Sequence, residues 1–461
     1  MENRLGCMAE RWTGGSRPGR RLLMGVMRGV MLALIVYGVP IISGQEEHMT
    51  RVQKDLAEAM LKSVADDVEK HYFDAKLHGL DWDALVQETK ENIDQAPNLQ
   101  TANAEIAALL EKLDDSHTQF LPPPNANDID YGFRFKIVGK RAFVTRVVPK
   151  SNADKKGVKP GEELITLNGF AVDREDSPKL KYALKTVIPQ SSLQLVLLNA
   201  AGKLERVDVR AGVKRHAVLR GLGGSTWASN QARIEQERVW EKARAEYKEL
   251  GPDLMVLRIP EFVETGADVN ALFKRARAHK TLIVDLRGTP GGNMDSIVSY
   301  LGHVFDREVT VGNWVEREKV EKLTTRVNRR DAFEGDLIVL IDSETASGGE
   351  IFARVVQLQE RGTILGDHSS GQSMVARYYS HWYGQNPTYF YGAEITIGDE
   401  VMTDGKRLEH IGVEPDRVTL PTAADLAAGR DPVLAYAAGL AGVKLSGEDA
   451  AKLFAQEGAD D

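Results

Sequence analysis

The chain has a single cysteine in 461 residues, Cys7. One thiol cannot close an internal disulfide. His, Cys and Asp nowhere cluster at metal-ligand spacing, so neither a metal nor another cofactor is expected. No apolar run reaches the roughly 20 residues of a spanning helix. Beyond the first 28 residues there is no basic stripe. With a net charge of −8 and a pI of about 5.8, nucleic acid is not an expected partner. No internal repeat or low-complexity tract occurs. The glycine-rich loop at 287–292 lacks the Gly-Lys-Ser/Thr ending of a P-loop.

The N-terminus is a separate object. Six arginines end at Arg28, an uncharged apolar stretch covers 29–42, and Ser43 and Gly44 precede Glu46 and Glu47. A basic region, a short apolar region and small residues describe a secretory signal peptide. Residues 1–44 are therefore expected to export the chain to a periplasmic or other extracytoplasmic space, or to remain as an anchor. Membrane contact is expected through this segment alone. Cys7 would leave with a cleaved signal, and with it any thiol nucleophile.

Residues 48–125 carry helical periodicity, with Leu56, Met60, Val64 and Val68 four apart. Pro122, Pro123 and Pro124 stop it, which places Ser116 and His117 at a helix exit. Short β-like runs separated by turn signals fill 128–215, with a helix expected near 178–186. Residues 216–252 read as a charged helical connector. From Leu254 strands and helices alternate to about 420, and a helical tail covers 421–461. The fold class is mixed α/β: a helical N-terminal region, an inserted β-rich module, and a largely parallel, covered sheet at 253–420. Chemistry in such sheets gathers beyond the strand carboxyl ends.

Two segments fall at those ends. One is the strand exit Arg287-Gly288-Thr289-Pro290-Gly291-Gly292. The other is the strand-to-helix junction at Ser347. A serine there is either a helix N-cap or a nucleophile beside free backbone N–H groups, which suit a developing oxyanion. His117 alone reads as a turn histidine, and Glu409 alone as a solvated charge.

In combination these segments resemble peptidase family S41, comprising the carboxyl-terminal (tail-specific) processing proteases and the tricorn-like proteases. Residues 285–292 are similar to its "D-L-R-x-N-P-G-G" signature, with Thr289 in the Asn place. Residues 345–353 resemble its nucleophile segment, and 412–416 its terminal "G-V-x-P-D". The module at 128–215 looks like a PDZ domain, with Tyr131, Gly132, Phe133, Arg134 and Phe135 where a carboxylate-binding loop would be. The resemblance implies a serine endopeptidase acting on protein or peptide substrates, with C-termini captured by that module. Arg134 would pair with the carboxylate, or is simply an exposed strand residue.

The processing proteases use a lysine base, and Gln372 stands in its place. An amide cannot take the serine proton. The tricorn-like branch implies instead Ser347 as nucleophile, His117 as base, and Ser116 and Glu409 as its supports. Gly348 with Gly291 or Gly292 would form the oxyanion hole. The rivals are another base such as Lys406, or a peptidase fold that only binds peptides or an apolar ligand.

Overall fold

The computed structural model describes residues 48–124, 127–215, 242–325, 331–385 and 387–454. The signal or anchor segment and most of the connector lie outside the described residues. Among those described, no helix is long and apolar enough to cross a membrane.

Three helices lead: α1 (Arg51–His71), α2 (Trp82–Gln95) and α3 (Leu99–Glu111). Helix α1 starts where Thr50 and Gln53 cap each other reciprocally. Its four-residue stripe, Leu56, Met60, Val64 and Val68, is fully buried, as a 3.6-residue period requires of one face. After α3 the chain enters β1 (Gln119–Leu121).

The inserted module runs through β2 (Asn127–Asp130), β3 (Phe133–Val138), β4 (Arg141–Val147), α4 (Asn152–Lys155), β5 (Glu163–Leu167), β6 (Phe170–Ala171), α5 (Ser177–Tyr182), β7 (Ser192–Leu198), β8 (Leu204–Arg210) and β9 (Gly212–Arg215). Its main sheet has the order β3-β4-β5-β7-β8, so β3 is an edge strand.

Next come β10 (Glu246–Leu250), β11 (Leu254–Arg258), α6 (Gly266–Ala276), β12 (Thr281–Asp285), α7 (Met294–Val304), β13 (Thr310–Glu316), β14 (Val320–Thr324), β15 (Asp336–Ile341), α8 (Gly348–Leu358), β16 (Thr363–Gly366), β17 (Val375–Tyr383), β18 (Tyr389–Met402) and β19 (Arg417–Val418). The short helices α9 (Ala423–Ala427), α10 (Pro432–Leu440) and α11 (Gly447–Lys452) follow.

The core sheet has the order β10-β11-β12-β15-β16-β19. It is parallel from β11 to β19, and only its edge pair β10–β11 is antiparallel. Alternate strand residues face opposite layers. Met255, Leu257, Leu282, Val284, Val339 and Ile341 pack with α6, α7 and α8, while Val256, Ile283, Ile338 and Leu340 pack with α10 and α11. Burial on both faces explains the unbroken apolar runs in these strands.

Two expectations need correction. Residues 246–250 were expected to be helical, but they form β10, paired along its length with β11. Exposed lysine and glutamate on a sheet edge resemble a solvated helix in composition, and an edge strand tolerates such charges. The region after 254 is also not one alternating α/β layer. Strands β13, β14, β17 and β18 join β1 in a separate antiparallel sheet. Its strands are far apart in sequence, so no local pattern announces their pairing.

Candidate active site

Strand β15 ends at Ile341 and the chain turns sharply into α8. Asp342 Oδ1 accepts from the N–H of Gly288 and of Glu344, each at 3.0 Å. Thr345 Oγ1 donates to Leu286 O at 2.8 Å, and Ala346 N–H to Thr289 O at 2.9 Å. The turn is thereby sewn to the glycine-rich exit of β12. At its end Ser347 adopts φ 47° and ψ −119°. This is far from the extended backbone of an ordinary N-cap, and such conformations cost about 1–3 kcal/mol. Glu350 N–H donates to Ser347 O at 2.8 Å.

Glycine is required around it. A Cβ on Gly291 would lie 2.7 Å from Ser347 Cβ and 2.9 Å from its Oγ, and one on Gly348 would lie 2.3 Å from Ile297. Gly291 and Gly292 have φ 121° and 136°. The N–H groups of Gly291, Gly292 and Gly348 donate to none of the described residues.

His117 is held by its own turn. Asp115 Oδ1 accepts from His117 N–H at 2.9 Å, Thr118 N–H at 2.7 Å and Thr396 Oγ1 at 2.6 Å. Ser116 Oγ donates to Glu409 Oε2 at 2.9 Å and lies 2.7 Å from His117 Nδ1. A hydroxyl has one proton. With that proton on Glu409, Ser116 accepts from Nδ1–H, which leaves the lone pair on Nε2. This is the tautomer a general base needs. Burial lowers the His117 pKa, opposed by the charge of Asp115.

Glu409 also accepts from Ser116 N–H at 2.7 Å and Ser373 N–H at 2.8 Å. Burial raises its pKa, and these hydrogen bonds oppose the rise. Gln372, the neighbour of Ser373, accepts from Ser347 N–H through its backbone O at 2.6 Å. Ser347, Glu409, Ser116 and His117 therefore lie on one connected network. No hydrogen bond joins His117 to Ser347; catalytic contacts commonly tighten only with substrate bound.

Other expected residues lie elsewhere. The side chain of Gln372 accepts from Ser370 Oγ at 2.9 Å. Lys406 is exposed in the turn after β18, its N–H bonded to Asp404. Arg134 forks onto Asp130 at 2.8 and 3.1 Å, so its guanidinium is already paired. Tyr131 OH accepts from Gln190 N–H at 2.9 Å, Phe133 is buried, and Gly132 turns the chain at φ 72°. Phe135 lies under Lys181, whose Nζ is 4.9 Å from the ring centre.

These five residues border a cavity of about 1350 Å³ between module and core, except that Gly132 is not among its lining. Across it, Lys136 binds Asp342 at 2.6 Å and Glu344 at 3.0 Å, and Lys181 binds Glu344 at 2.6 Å. Sequence reasoning missed Lys136, Lys181, Asp115 and Glu350. Asp115, two residues before His117 and so spaced for an Asx turn, was the one with a readable signal.

The structure thus holds a strained serine at a strand-to-helix turn, backbone N–H groups unused among the described residues, and a histidine linked through Ser116 to Glu409. The model of peptidase family S41 matches residues 253–419. The chain is 23% identical over 351 residues to carboxyl-terminal-processing peptidase 3, chloroplastic, of Arabidopsis thaliana, covering 71% of this chain and 62% of that protein. It is 21% identical over 336 residues to the carboxy-terminal processing protease CtpA of Bacillus subtilis (strain 168), covering 70% and 64%. The chain thus spans under two thirds of the length of these relatives. Its fold is similar to that of mature CPAF, with TM-score 0.61, 13% identity, and coverage of 82% of this chain and 94% of that one.

Proposed function

We propose that the chain is an exported serine endopeptidase in which His117 activates Ser347. His117 Nε2 takes the Ser347 proton as Oγ bonds to the scissile carbonyl carbon. The carbonyl oxygen becomes an oxyanion held by the N–H of Gly348 and of Gly291 or Gly292, each such donor being worth about 3 kcal/mol. His117 then gives its proton to the departing amine, and water attacks the acyl-serine by the same path reversed. Ser116 and Glu409 hold the tautomer and stabilise the imidazolium. The observation that carries this reading is the Glu409–Ser116–His117 hydrogen-bond chain, which favours the tautomer with Nε2 unprotonated. The module would capture substrate C-termini by adding a strand to the β3 edge.

The test is labelling of residues 45–461 with a fluorophosphonate probe, beside Ser347→Ala and His117→Ala. Labelling should vanish in the first and fall at least 100-fold in the second. Labelling that survives His117→Ala points to another base. Folded wild-type protein that does not label favours the binding-protein reading, which Gln372 in the lysine place motivates.

A further inference from the structure

Glu350, one turn into α8, is wholly buried and forms no ion pair among the described residues. Its carboxylate is nevertheless saturated with donors. Oε1 accepts from Ser369 Oγ at 2.5 Å and Gly371 N–H at 2.7 Å. Oε2 accepts from Gln372 N–H at 3.0 Å and Ser347 N–H at 3.1 Å. Three of the four donors are backbone amides, which cannot reverse their role. The segment gripped here, 369–373, is held at its far end by Glu409 through Ser373. Ser369 also accepts from Val413 N–H at 2.6 Å, and Gly371 O accepts from His410 N–H at 2.8 Å. Glu350 therefore joins the strained Ser347 turn to the segment that binds Glu409.

We propose that Glu350 is a positioning residue for Ser347, and that the site works only while its carboxylate is ionised. The proposal rests on the serine-peptidase reading above. A proton on Oε2 would meet the Gln372 and Ser347 N–H groups head-on, so protonation falls on Oε1, where the O–H turns to Ser369 Oγ. Oε1 then keeps one lone pair and no charge, and its bond from Gly371 N–H weakens. The titratable groups on the surrounding elements are His117, Asp367, His368, Glu409 and His410, with Arg174 bound to Asp367 and to His368 O and Arg354 on α8 itself. None is a leading influence on Glu350; desolvation raises its pKa to about 7 against the four hydrogen bonds. The transition thus falls near neutral pH. A raised carboxyl pKa also means that the native state keeps its proton longer than the unfolded chain. The stability this contributes is complete below about 4.5 and is lost as pH rises through about 7. The active form is the less stable one.

The experiment is the fluorophosphonate labelling rate from pH 5 to 9, with melting temperatures, for wild type, Glu350→Gln and Ser369→Ala. Wild-type labelling itself tests the peptidase reading; the variants test Glu350. Glu350→Gln should label at least tenfold more slowly at pH 8, lack the ionisation near 7, and melt at or above the wild-type temperature. Ser369→Ala removes a bond to the ionised form, so its ionisation should move to higher pH. Wild-type labelling by Glu350→Gln, or a parallel loss of labelling and melting temperature, overturns the proposal. Should Glu350→Gln fail to fold, Ser369→Ala decides: an unmoved ionisation overturns it.

Discussion

At the scale of single residues, chemistry here depends on which proton each group can spare. Ser116 has one, and giving it to Glu409 dictates the tautomer of His117. Gln372 cannot take one: its side-chain amide accepts from Ser370, and its backbone O accepts from Ser347 N–H. Gln372→Ala should therefore keep at least half of wild-type peptide hydrolysis in steady-state assay; a loss of 100-fold would assign the side chain a catalytic part. Ser347, His117, Ser116 and Glu409 stand out in the sequence because each sits in an ordered motif. Glu350 does not. It is a glutamate one turn into an amphipathic helix, and only folding brings four donors from two separate segments onto it.

At the scale of elements, the site is made where β12 and β15 end. Residue 291 must be glycine for two reasons, its φ of 121° and the Ser347 side chain against it. Gly291→Ala should lower kcat/KM at least 100-fold, since one misplaced oxyanion donor costs about 3 kcal/mol. It should also lower stability by about 1–3 kcal/mol from backbone strain. Kinetics with a chromogenic peptide and urea unfolding check the two. The buried strands of the core were legible as apolar runs bounded by turn signals. Strand β10 was not, because an exposed edge strand and a solvated helix draw on the same charged residues.

At the scale of the whole molecule, the β-rich module is latched to the nucleophile turn. Lys136 on edge strand β3 reaches Asp342 and Glu344, Ser343 Oγ donates to Ile137 O at 2.6 Å, and Arg174 spans to Asp367 at 2.9 Å. Asp342 also anchors Gly288, so the latch and the glycine-rich loop share a carboxylate. Lys136→Ala leaves that carboxylate unpaired and should destabilise the protein by about 3 kcal/mol in urea unfolding. A change below 1 kcal/mol would show that solvent already screens the pair. Arg134, the more conspicuous cation in the sequence, is instead neutralised four residues away by Asp130.

Sequence alone determined what depends on neighbours along the chain: the α1 stripe, the doubly buried strands, the strand-to-helix serine and the proline-stopped turn at His117. These follow from periodicity and backbone preference, which act locally. Tertiary structure decided the rest. It paired β1 with β18 across more than 250 residues, set Lys136 rather than Arg134 against the core, and placed one buried carboxylate under the nucleophile. Those outcomes depend on which groups lose their water together, and that is settled only when distant segments pack.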